Sequence, residues 1–216
     1  MQRILIVITI VCWNLIAAAQ NDPTAQKLLA SVSKNYQSYS NAQVNFTLKA
    51  VNHQQQTTLN EKGVLIVEPK TNKFHITMKE QEIISDGKLQ WTILKEEQEV
   101  QVAEVDPTAS ESLTPATIFT FYKKGYKYIS TKTERLGNKQ LSVVELAPED
   151  TKKQFFKVRL RVDKALKQIY DVVVYDKNGS KYTYSIQNLV SNIKIAPKTF
   201  IFDKVNYPDL EVVDLR

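Results

Sequence analysis

The stretch from Gly63 to Trp91 restricts the fold more than any other part of the chain. It opens with the apolar run Val64 to Val67, rich in β-branched residues, which Pro69 and the Lys70-Thr71-Asn72 turn bring to a stop. Phe74, Ile76 and Met78 then alternate with His75, Thr77 and Lys79. That two-residue period belongs to a strand with one apolar and one wet face. A short Ile83-Ile84 strand follows, and Ser85-Asp86-Gly87-Lys88 reads as a tight turn in which Gly87 takes positive φ. Trp91 and Ile93 place large apolar groups on one face of the next strand. The pattern predicts a meander of curved antiparallel strands with a bulky, oily inner face.

The N-terminus has a different character. Arg3 precedes an apolar run from Ile4 to Ile16 and then Ala17-Ala18-Ala19, the pattern of a secretory signal cleaved after Ala19. The run is short for a bilayer crossing. Cys12 lies inside it, preceded by Val11 rather than a small residue, so a lipid-modified cysteine is not expected. The expected organisation is a signal peptide over 1–19 and one domain over 20–216, exported to the periplasm. A domain of that size, with no cysteine left for disulfides, must be held by its core. Without Arg3 the 29 basic residues become 28 against 23 acidic ones, a mature charge of +5. The lysines are scattered along strands and turns, without the clustering that nucleic acid requires. They read as solvated faces and guarded edges, with attraction to an anionic membrane surface or an acidic partner left open.

Asp22-Pro23 predicts the start of a first helix, since Asp is a good N-cap and Pro suits the first helical position. Leu28, Leu29, Val32 and Tyr36 give it an apolar stripe. Val44, Phe46 and Leu48 alternate in the first strand, and a second runs from about Thr57 to Val67. Further on, Thr114-Pro115 repeats the capping logic and opens a short helix crowded with Ile118, Phe119, Phe121 and Tyr122, with Gly125 as its stop. A short greasy helix in mid-chain is a candidate lid. Leu141 to Leu146 and Ile169 to Tyr175 read as strands, Phe156, Val158, Leu160 and Val162 alternate with Lys157, Arg159, Arg161 and Asp163 in another, and Asp176-Lys177-Asn178-Gly179 reads as a hairpin turn into Tyr182, Tyr184 and Ile186. Ten or eleven antiparallel strands and two main helices place the chain in the α+β class. The expected form is a strongly curved antiparallel sheet, an unclosed β-barrel, with helices covering its concave hydrophobic face.

Catalytic and metal-binding patterns are missing from the sequence. His53 and His75 are the only histidines, and no metal-ligand spacing, nucleophile elbow or phosphate loop occurs. His75 falls on the polar phase of its strand, which predicts an exposed imidazole, and Asp86 beside Gly87 reads as a turn former. The expectation is a protein that is not an enzyme and takes no cofactor or metal.

The ordered set D-P-x-A-x-x-L-L at Asp22, F-T at Phe46, G-x-L at Gly63, S-D-G-K-x-x-W from Ser85 to Trp91, and F-x-F…V-x-D from Phe200 to Asp214 resembles the LolA family. The lysine- and tyrosine-rich strands and the Y-P-x-x-E-V-V-D-L-R ending look most like its Bacteroidota branch. The resemblance implies a periplasmic carrier of outer-membrane lipoproteins whose unclosed barrel and helical lid enclose a hydrophobic cavity for acyl chains. It further implies a triacylated cargo received from an ATP-driven inner-membrane releasing complex, no nucleic-acid partner, and a monomer; a dedicated outer-membrane acceptor is not evident. Proteobacterial members of the family carry an arginine before the proline matching Pro69, which latches the lid; here that position is Glu68, so the latch does not carry over. On strand phase, Phe46, Leu48, Leu65, Phe74, Ile76, Met78, Trp91 and Ile93 are the candidate cavity lining, and Ile118, Phe119, Phe121 and Tyr122 the lid. A carrier or sensor of another lipid, such as a glycolipid or polyketide lipid, fits the same pattern.

Overall fold

A computed structural model describes residues 22–105 and 125–216. The expected signal peptide and the expected lid helix lie outside the described residues. The chain begins with helix α1 (Pro23–Gln37) and continues through β1 (Ala42–Asn52), β2 (Thr57–Glu68), β3 (Lys73–Thr77), β4 (Gln81–Ser85), β5 (Leu89–Leu94) and β6 (Glu99–Glu104). The second half supplies β7 (Tyr126–Leu136), β8 (Lys139–Pro148), β9 (Phe155–Asp163), β10 (Gln168–Asp176), β11 (Ser180–Ser191) and the short β12 (Glu211–Asp214).

All twelve strands join one sheet in the order β12-β6-β5-β4-β3-β2-β1-β11-β10-β9-β8-β7. The sheet is a pair of meanders sewn together along β1, which pairs with β2 on one side and β11 on the other. Its end strands, β12 and β7, do not pair with each other, so the barrel is unclosed. The twelfth strand is the C-terminal Glu211–Asp214, which lies parallel to β6 while every other pairing is antiparallel. Of the helices expected over the inner face, α1 is the one present among the described residues.

Local chemistry explains where these elements begin and turn. Asp22 caps α1 by accepting from the backbone N–H of Thr24 (2.7 Å) and Ala25 (3.4 Å) through Oδ1. Its second oxygen accepts from the Ser130 N–H at 3.0 Å, and its own N–H donates to the Tyr128 carbonyl at 3.2 Å. One residue thus starts the helix and satisfies part of the open edge of β7. At the other end of α1, the Tyr36 hydroxyl accepts from the Ile169 N–H at 2.8 Å, fastening the helix to β10. The turn between β4 and β5 forms as the sequence predicts: Asp86 Oδ1 accepts from the N–H groups of Lys88 and Leu89, both at 2.8 Å, and Gly87 sits at φ +92°.

Gly63 has another role. It pairs with Phe46 in mid-strand, and the Phe46 ring lies flat across it: a Cβ there would come within 2.3 Å of the ring. The glycine in this run therefore seats an aromatic on the inner face. Phe156 departs from its alternation for a different reason. Tyr175 pairs with Lys157 and Asp176 with Phe155, so a bulge leaves Phe156 without a partner and turns it outward, 53% exposed.

Gly63→Ala should lower stability by about 1–3 kcal/mol in urea unfolding, because Phe46 must leave its seat. The same change made in a Phe46→Ala background should cost far less, which a double-mutant cycle measures directly.

Candidate functional site

The inner face of the sheet, the side on which α1 lies, is apolar across nine strands. Strand register shows how it is assembled, since directly paired residues share a face. Leu48 pairs with Tyr184, Tyr184 with Val172, Val172 with Leu160 and Leu160 with Val144, one row crossing five strands. A second row runs through Leu189, Val44, Leu65, Ile76 and Ile83. Leu29, Val32 and Tyr36 of α1 pack into the same cluster. The sheet curls around the helix, because strands from β3 to β8 share this one core.

Of the residues expected to line a cavity, Phe46, Leu48, Leu65, Phe74 and Ile76 meet on this wall, with Met78 half-buried against it. Strand β11 adds Tyr182, Tyr184 and Ile186 from the same face. Their alternation was visible in the sequence, but only the β1–β11 pairing shows that they stand beside Leu48 and Phe46. Burial raises the pKa of the Tyr184 hydroxyl above its usual value, which fits a phenol set in a greasy wall. Beside α1, a cleft of about 340 Å³ opens between the helix and Tyr128, bordered by Gln26, Ser33, Lys34 and Gln37 as well as Leu29 and Ala30. Its polar border makes it a poor seat for hydrocarbon. The expected lid residues Ile118, Phe119, Phe121 and Tyr122 lie outside the described residues, which resume at Gly125 with φ +77°.

Trp91 and Ile93 are elsewhere. Ile76 pairs with Ile83 and Ile83 with Thr92, so the inner row continues into a polar residue of β5. Trp91 pairs instead with Ile84, and Ile93 with Glu82 and Val100, which places both on the outer face. The reason is that phase within one strand does not carry across a turn. The Ile83-Ile84 doublet is apolar on both faces and hides the switch. On that outer face Ile84, Ile93 and Val100 form a second core, covered by Trp91, Phe202, Tyr207 and Leu210. Trp91 stacks on Phe202 (5.9 Å, 17°), which stacks on Tyr207 (5.4 Å, 17°). The C-terminal segment is strapped to the back of the sheet.

Under the strap lies a polar cluster. Glu82 accepts a 2.8 Å hydrogen bond from the Tyr207 hydroxyl and lies 3.5 Å from His75 Nε2 and 3.0 Å from Lys95 Nζ. His75 is therefore partly buried and partnered, where strand phase alone predicts an exposed ring. The hydrogen bond from His75, then those from Lys95 and Tyr207, outweigh burial and hold the Glu82 carboxyl at about 2. Burial and the facing carboxylate raise the Tyr207 phenol. Glu68, at the position of the family's latch arginine, accepts from the Thr71 hydroxyl at 3.0 Å and so closes its own turn.

Comparison with known proteins bears on this geometry. The profile of a family described as "Outer membrane lipoprotein carrier protein LolA" matches residues 37–203. No curated protein matches the chain. Among solved structures, an uncharacterized conserved protein from Thermus thermophilus superposes with a TM-score of 0.59 at 12% identity, over 88% of this chain and 99% of that one. MucB superposes with a TM-score of 0.50 at 13% identity, over 89% of this chain and 66% of that one. A LolA superfamily protein, NE2245 from Nitrosomonas europaea, gives a TM-score of 0.46 at 15% identity, over 83% and 98%. At these identities the first two likenesses speak for the fold alone.

The Glu82 cluster predicts an acid limb of stability. A carboxyl whose pKa is lower folded than unfolded stabilises fully above its ordinary value of 4.5, and that contribution is lost as pH falls toward about 2. Glu82→Gln should remove about 1–3 kcal/mol at neutral pH and flatten the melting temperature against pH between these limits.

Proposed function

The chain belongs to the LolA family of outer membrane lipoprotein carrier proteins, and from that premise we propose that it carries the acyl chains of lipoproteins on its inner face, from the inner to the outer membrane across the periplasm. The observation that supports this reading is the inner wall itself, an apolar surface shared by β1–β3 and β8–β11 in a sheet that stops short of closure. The protein acts as a monomer, takes its cargo from an ATP-driven releasing complex in the inner membrane, and performs no chemistry of its own.

Physical chemistry gives such a carrier its task. Each methylene buried in a membrane is worth about 0.8 kcal/mol. A chain of about fifteen carbons resists leaving by roughly 12 kcal/mol, and three such chains by roughly 36. Crossing an aqueous gap unaided is hopeless against that barrier. A carrier must offer comparable apolar surface without outbidding the destination membrane, so it needs hydrocarbon contact and little polar specificity. The inner wall offers this through Phe46, Leu48, Leu65, Phe74, Ile76 and Met78. The lid residues Ile118, Phe119, Phe121 and Tyr122 complete the enclosure in this reading. No helix among the described residues is long and apolar enough to cross a membrane.

The test is uptake of a triacylated lipoprotein from inner-membrane vesicles into a soluble complex, with native mass spectrometry of the product. Ile76 is fully buried, so a charge there would unfold the protein; Leu59, on the inner face opposite Ala50 and 49% exposed, is the better probe. Leu59→Glu and Met78→Glu should lower uptake by about tenfold or more while melting within a few degrees of wild type. Unchanged uptake refutes the assignment of this wall. A co-purifying glycolipid or polyketide lipid in place of a lipoprotein would reassign the cargo.

A further inference from the structure

The outer face of the sheet carries a basic row. Near the end where β7, β9 and β11 begin, Lys157 pairs with Tyr175, Tyr175 with Lys181, Lys181 with Val51 and Val51 with Thr58. Lys127 continues the row beyond Ala147, with which it pairs. Seven strands thus present three lysines and no carboxylate in this row. The neighbouring row adds Lys49, while its Arg159 is paired with Glu134 and its Glu145 lies 3.8 Å from Lys157. Asp150 and Asp176 at this end cap turns, accepting from the N–H groups of Lys152 and Asn178.

An aromatic pair sits within this field. The bulge that turns Phe156 outward sets its ring 6.2 Å from Tyr175. The ammonium groups of Lys157 and Lys181 lie 4.4 and 5.9 Å from the Tyr175 ring. A bulge that exposes a phenylalanine, at a cost in apolar surface left in water, asks for something to cover it. A soluble acidic protein would satisfy the lysines alone. An anionic bilayer satisfies both, with the aromatic ring at headgroup depth and the lysines reaching phosphates around it.

We propose that this row, centred on Phe156 and Tyr175, is a docking surface for an anionic phospholipid bilayer. It lies at the end of the sheet where half-exposed Leu59 and partly buried Tyr182 rim the inner wall, so docking brings that rim to the membrane. The inference goes beyond the carrier reading and does not depend on it, since plain lipid vesicles hold no cargo.

Flotation of the purified protein with vesicles of phosphatidylcholine, with and without phosphatidylglycerol, tests it. Binding should require phosphatidylglycerol and fall away as salt rises from about 0.05 M to about 0.5 M. Lys157→Gln with Lys181→Gln should weaken it roughly thirty-fold, while Lys27→Gln with Lys34→Gln, an equal loss of charge on α1, should leave it unchanged. Phe156→Ser should also weaken binding, and emission from Phe156→Trp should shift to the blue on adding vesicles. The proposal is overturned if wild type ignores anionic vesicles, if both lysine pairs lose binding equally, or if the row binds an acidic protein but no bilayer.

Discussion

An antiparallel sheet that stops short of closing must bury its inner face against something other than itself. Nine of the twelve strands here build a wall whose rows of leucine, valine, isoleucine and phenylalanine cross strand after strand, and α1 is the helix among the described residues that packs on it. Water against that much hydrocarbon is expensive, on the order of 25 cal/mol per Å². The molecule therefore needs the helix fixed hard in place. It achieves this with few groups: Asp22 joins the start of α1 to β7, and Tyr36 joins its last turn to β10. The family model that matches the chain describes outer membrane lipoprotein carriers, and the carrier role proposed above would set its cargo against this same wall.

Much of this was legible in the residues, and the failures have physical causes. Asp22-Pro23, the Asp86-Gly87 turn and the alternation in β1 and β3 came through because each depends on neighbours in sequence. Trp91 and Ile93 were misplaced because a face is defined by pairing across strands, and a turn can reset which phase points inward. Phe156 was misread because one extra residue in a bulge shifts the phase at the start of β9, while Val158, Leu160 and Val162 beyond it keep the alternation. His75 lost its expected exposure beside Glu82 of the next strand, a carboxylate that Tyr207, more than a hundred positions away, also binds, and no local pattern announces that meeting. The Tyr182 and Tyr184 flank of the inner wall was missed for the same reason, since its contacts with β1 are long-range.

The two faces divide the work. Inside, the chemistry is hydrocarbon and phenol, with little to select one acyl chain from another. Outside, charged pairs dominate: Arg161 grips Asp171 and also reaches Glu134, while Arg159 binds Glu134 from the neighbouring row position. Arg161 stands beside Val143 and Arg159 beside Val173 on paired strands, and both valines are buried although they face outward. The outer face is thus stiffened by ion pairs and a strap, leaving the inner face free to be defined by shape.

The pairing of β12 with β6 also bears on how the protein is made. Chain order places β6 well before β12, its outer neighbour among the described residues, so during synthesis this border of the sheet has no partner until β12 emerges. An unpaired border of that kind invites pairing between copies. Newly made chains are therefore most vulnerable in the interval before β12 arrives, and a chain cut short before Glu211 would carry that vulnerability permanently.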